Sequence, residues 1–101
     1  MDVEQLVIEW AKEKGIYRKE NIRNQALKMC SESGEVADAI LKMDNTAIKE
    51  EIGDVIVTLV ILSNVQGWSL NECLETAYNK IKNRKGKTIN GTFIKQQDND
   101  N

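Results

Sequence analysis

Between Asn45 and Gly67 the chain carries its most apolar stretch, and that stretch constrains the fold more than any other. Val55-Ile56-Val57-Thr58-Leu59-Val60-Ile61-Leu62 has the composition of a buried strand. The pattern nevertheless continues from Ile48 to Val65, past ordinary strand length. It also has helix punctuation at both ends, Asn45 before and Gly67 after. The expectation is a central helix from about Ala47 to Val65, buried on nearly all sides. Such a helix needs covering from several directions, and the rest of the chain has to supply the cover.

The remaining sequence supplies helices. Proline is absent and there are only six glycines, which suits long uninterrupted segments. Val3, Leu6, Val7 and Trp10 form an i, i+3, i+4, i+7 stripe, with Gly15 placed as a C-cap. A second helix is expected from Lys19–Ile22 to about Met43, with Leu27, Cys30, Gly34, Ala37 and Leu41 as its core stripe. Asp44-Asn45-Thr46 offers a turn and an N-cap. A fourth helix opens with a Ser69/Glu72 capping box, follows Leu70, Cys73, Leu74, Ala77 and Ile81, and ends by Gly86. Thr92-Phe93-Ile94 is placed to dock on the body or on a neighbouring subunit. The fold class expected is all-α, a four-helix bundle-like domain over residues 1–94, with a polar, disordered tail over 95–101.

At 101 residues the chain makes one domain with a modest core. Histidine is absent, which excludes His-based triads, histidine zinc sites and histidine general bases together. Asp2, Glu4 and Glu9 stand where a signal peptide would be basic, and the longest apolar run is too short to span a bilayer. Cys30 and Cys73 lack metal-ligand spacing and read as buried reduced thiols in a cytoplasmic protein.

Four acids remain to be explained. Glu32 and Glu35 are three apart, as are Glu51 and Asp54, so each pair projects from one helix face. Antiparallel helices would bring all four together. One such pair is commonly just a solvated surface. Glu51 and Asp54, however, share their face with little that is polar besides Thr58, and a buried carboxylate without a partner costs several kcal/mol. Hard oxygen donors in such a group suit Mg²⁺ or a close relative such as Mn²⁺.

The basic residues are as unevenly spread. Lys80, Lys82, Arg84, Lys85 and Lys87 fall within eight residues that contain no acid, although the net charge is −2. A solvated helix end and a phosphate clamp both fit the run. Nucleic acid is disfavoured, because the rest of the chain is acidic and no aromatics interleave with the bases.

Glu32-Ser33-Gly34-Glu35-Val36 followed by Glu50-Glu51-Ile52-Gly53-Asp54-Val55 resembles the E-x-x-E and E-x-x-D signature of MazG-type nucleotide pyrophosphohydrolases, all-α NTP pyrophosphatases. The resemblance extends to Gln25 and Lys28 upstream and to Asn79, Lys80 and Arg84-Lys85-Gly86 downstream. It implies Mg²⁺ held by Glu32, Glu35, Glu51 and Asp54, a nucleoside triphosphate cleaved to monophosphate and pyrophosphate, and phosphate contacts from Lys80 and Arg84. Asn79 is a weaker contact, and Lys28 is divided between phosphate and a neighbouring carboxylate. Trp10, Trp68 and Tyr78 are candidates for base stacking or core packing, and Gln25 for a base edge or plain exposure. A homodimer, or a dimer of dimers, would cover the apolar third helix. In one respect the chain departs from the pattern: Ser31 stands where many relatives carry a glutamate. This leaves the general base unassigned and keeps two rivals to the enzyme open, a nucleotide sensor without turnover and a helical adaptor.

Overall fold

A computed structural model describes residues 2–96. It comprises four helices, α1 (Val3–Glu13), α2 (Ile22–Leu41), α3 (Asn45–Val65) and α4 (Leu70–Ile81), with a 3₁₀ turn at Lys19–Asn21. Two short strands follow, β1 (Gly86–Ile89) and β2 (Thr92–Lys95). The chain divides into two compact units, one ending at Leu70 and one beginning at Asn71. Among the described residues, no single helix is long and apolar enough to cross a membrane.

In the first unit α3 is the central element, as its composition demands. It packs along α2 and also against α1. Asp44 caps its start, accepting the Ala47 N–H at 3.1 Å, so the helix begins two residues earlier than expected. α2 stops at Leu41 rather than Met43, because Met43 adopts a left-handed φ of 56° in the turn to α3. α1 is capped by Asp2, which accepts the Gln5 N–H at 2.8 Å, and Gly15 follows it with φ 73°. The core is Ile8, Ala11, Ala39, Val60 and Ile61. Thr58 and Ser63 are buried among them, each donating its hydroxyl to the carbonyl three residues back.

Three expectations about packing need correction. The core face of α2 is not the Leu27, Cys30, Gly34, Ala37, Leu41 stripe, all of which is exposed, Leu41 at 84%. The covered face runs through Gln25, Ala26, Met29, Glu32, Val36 and Ala39. Both stripes have helical spacing, and the one that meets α3 is the one that carries Glu32. In α1, likewise, Ile8 and Ala11 are buried while Val3, Leu6 and Trp10 remain exposed. α3 itself is buried only in its C-terminal half; Ile52 and Ile56 are each 44% exposed, on a side that neither α1 nor α2 covers.

The second unit holds nearly all of α4 and the hairpin. α4 starts right after Ser69 but ends at Ile81, five residues short of the expected glycine. Gly86 instead opens β1, where a Cβ would press on the Ile94 carbonyl oxygen and lie 2.7 Å from Phe93 Cζ. The strands pair antiparallel, Gly86 with Lys95 through Ile89 with Thr92. Asn90 (φ 51°) and Gly91 (φ 79°) make the left-handed two-residue turn that such a hairpin needs. Gln96 extends the pairing by donating its N–H to the Lys85 carbonyl at 2.8 Å. The tail expected to be disordered lies, from residue 97 on, outside the described residues. Both cysteines are free, as expected, but Cys30 is exposed and Cys73 only half-buried.

Candidate metal centre

Glu32 and Glu35 lie one turn apart on α2, and Glu51 faces them from the second turn of α3. The short Lys42–Asp44 connection folds the two helices into a hairpin, which sets these positions opposite one another. One carboxylate oxygen from each of the three lies within 4.8 Å of the others. The Glu32 side chain retains only 12% of its exposure, and its Oε1 accepts Lys28 Nζ at 3.3 Å. Its other oxygen, Oε2, is buried with no hydrogen-bond partner, and so is Oε2 of Glu51. Two of the three clustered acids thus each carry an orphaned carboxylate oxygen, a donor in want of a cation.

The electrostatics show the same crowding. The Glu51 carboxyl is pushed up to about 7, first by a hydrogen bond with Glu35, then by burial, then by the charges of Glu35, Asp54 and Glu32. Between its ordinary 4.5 and about 7, the folded chain keeps a proton that the unfolded chain has lost. This contribution to stability is present below the unfolded value and fades as pH rises through the folded one. The melting temperature of the protein without divalent cation is therefore expected to fall from about pH 5 to about pH 8. Glu51→Gln should flatten that slope in a thermal melt; an unchanged slope would show that Glu51 does not hold the proton.

Asp54 stands apart from the three glutamates. One turn beyond Glu51 and about 60° round the axis, it is exposed and lines an open groove with Val3, Leu6, Val7, Trp10 and Val57. It is still close enough to raise Glu51. The structure thus groups Glu32, Glu35, Glu51 and Lys28, with Asp54 adjoining. Asn79 and Lys80 are exposed in the last turn of α4, and Arg84 is half-buried just before β1. Trp10, Trp68 and Tyr78 are all exposed, which removes core packing within the single chain as their role. Gln25 is half-buried rather than exposed, and its Oε1 is enclosed without a partner. Its place two turns before Glu32 on the same face was the available signal.

The geometry accords with the comparison of the chain with known families. The model for the MazG nucleotide pyrophosphohydrolase domain matches residues 20–89, well over half of the sequence. The chain belongs to this family. The match contains both acidic pairs, Lys28, α4 and β1. No curated protein and no solved structure matches the chain. The MazG domain is thus an all-α fold with a terminal hairpin, and three of its glutamates meet on the face where α2 packs against α3.

Proposed function

We propose that this MazG domain hydrolyses nucleoside triphosphates, NTP or dNTP, to nucleoside monophosphate and pyrophosphate with a divalent cation, Mg²⁺ first and Mn²⁺ as a substitute. The observation that carries the proposal is the three-glutamate cluster with two buried, unpartnered oxygens. Such hard, anionic donors fit these cations, and Glu32, Glu35 and Glu51 are the proposed ligands, with Asp54 as the fourth acid. The cation would neutralise the polyphosphate and acidify a bound water.

The chain's own residues do the rest. Lys28 pairs with Oε1 of the Glu32 carboxylate at 3.3 Å and so holds that side chain from the α2 side. Water oxygen bonds to the α-phosphorus as the bridge to the β-phosphate breaks, and pyrophosphate leaves. The water's proton must go to a carboxylate, since the chain has no histidine. Lys80 and Arg84 are proposed to hold phosphate oxygens and Asn79 to hydrogen-bond them, on the family motif. The exposed Ile52 and Ile56 support a homodimer, or a dimer of dimers, that would cover the N-terminal half of α3. Two free thiols suit a reducing, cytoplasmic setting.

Ser31 favours one other reading, a sensor that binds nucleotide without turnover. Pyrophosphate release over a panel of NTPs and dNTPs separates the two. Cation-dependent release from at least one nucleotide is expected. Nucleotide-dependent thermal stabilisation with no release from any would replace the enzyme with the sensor. Indifference to cation and nucleotide alike would leave a helical adaptor.

A further inference from the structure

Glu4 makes a contact that the proposed chemistry does not use. From the first turn of α1 its Oε1 accepts the Leu70 N–H at 3.0 Å, across 66 residues of sequence. Leu70 is at once the last residue of the first unit and the first of α4. Its N–H is one of the donors that a helix start leaves without an intrahelical partner. Helices are ordinarily capped by the residue just before them, and Ser69 stands in that place. The acceptor on α1 therefore ties two distant elements together, and a carboxylate at a helix N-terminus makes a strong tie. Both residues stand in the wall of an open groove of about 500 Å³ between α1 and α3, lined also by Val7, Val57 and Asp54. α4 is thus rooted in the same groove as the fourth acid of the proposed site.

We propose that Glu4 is a positioning residue for the phosphates: by holding the Leu70 N–H it fixes the direction in which α4 sets out, and so where Lys80 and Arg84 meet the polyphosphate. This rests on the nucleotide reading above and adds to it a residue that touches neither cation nor substrate. α4 runs without interruption from Leu70 to Ile81, so a tilt at its start is carried to its end. None of its residues is fully buried, so packing alone holds that direction loosely. Lys80 lies ten residues beyond Leu70, which is about 15 Å of helix. A tilt of about 10° at Leu70 would shift the Lys80 backbone by about 2.6 Å, the difference between a phosphate contact and none. Misplacement on that scale, far from the reacting atoms, is enough to weaken a positioned contact.

Equilibrium binding tests this apart from turnover, with inorganic tripolyphosphate and an α,β-imido nucleoside triphosphate as probes, each with Mg²⁺. Glu4→Ala should weaken both about tenfold, the worth of one well-placed phosphate contact. Glu4→Met, of similar length and without an acceptor, gives the same comparison should alanine leave the groove too loose to fold. Glu4→Gln keeps an oxygen that can accept the Leu70 N–H and should bind both probes within about threefold of the parent. Thermal stabilisation by Mg²⁺ alone should be equal in all of them, because the glutamate cluster is untouched. In a Lys80→Ala/Arg84→Ala background, Glu4→Ala should cost nothing further, since the groups it positions are gone. Parent-like affinity in Glu4→Ala would overturn the inference, and so would an equal further loss in that background. If the Lys80→Ala/Arg84→Ala pair alone weakened neither probe, Glu4 would have nothing to position and the inference would fall. A loss in Glu4→Gln as large as in Glu4→Ala would assign Glu4 to its charge and defeat it too. A parent that binds the probes but releases no pyrophosphate from NTPs would sink the hydrolase reading while leaving Glu4 fully tested. A parent that binds neither probe would end both.

Discussion

Glu35→Gln should reduce pyrophosphate release at least ~100-fold and leave the fold intact. Glu35 is the residue through which the cluster communicates: its hydrogen bond is the largest cause of the raised Glu51 carboxyl. It is also exposed, so the isosteric amide disturbs no packing. Removing one of several crowded negative charges relieves repulsion when no cation is present. The variant should therefore melt no lower than the parent in chelator, and gain less from added Mg²⁺ or Mn²⁺. Turnover and cation-dependent melting should fall together. Full activity in this variant would remove the cluster from the reaction; a lower melting temperature in chelator would show Glu35 to be a structural group.

The largest loss of stability is expected from Ile61→Ala. Ile61 is 2% exposed and lies in the only half of α3 that the first unit buries fully. Truncation there removes apolar contact and leaves a cavity, at a cost of about 2–5 kcal/mol. A domain of this size has only about 5–15 kcal/mol in total, so the melting temperature should drop by roughly 10–20 °C. Leu41→Ala, at a residue 84% exposed, should change stability by no more than about 0.5 kcal/mol. The pair discriminates between the two faces of α2 and α3. Comparable losses at both positions, read by urea or thermal unfolding, would mean that Leu41 is covered in solution and that the observed core is incomplete.

How much of this was legible in the sequence depended on what each residue competes with. α3 was readable despite its strand-like letters, because unbroken length from Ile48 to Val65 outweighs β-branched composition. The face of α2 was not. Leu27 and Leu41 are the larger hydrophobes, but Ala26, Val36 and Ala39 are small enough for α3 to approach, and Glu32 is carried inward with them. Periodicity locates a stripe; which of two stripes is covered depends on the partner helix. The hairpin was visible in principle, since Asn90-Gly91 between Thr88-Ile89 and Thr92-Phe93 is a strong two-residue turn signal. The helical reading of the basic run ends at Gly86, before this turn, and so takes in neither of its strands.

The acidic motifs conveyed most of the candidate site. Glu32, Glu35 and Glu51 meet as their spacing implied, while Asp54 illustrates what spacing alone omits. Three residues of helix turn a side chain by about 60°, enough to swing Asp54 from the α2-facing side to the groove it shares with α1. The unpartnered oxygens of Gln25, Glu32 and Glu51 had no sequence signal of their own, because an orphan is defined by what surrounds it.

Diffraction from crystals grown with Mn²⁺ and a non-hydrolysable nucleotide, recorded at the manganese edge, tests the central claim most directly. An anomalous peak about 2.0–2.3 Å from carboxylate oxygens of Glu32, Glu35 and Glu51 is the expected result. Manganese bound at other side chains, with these three glutamates bare, would contradict the account.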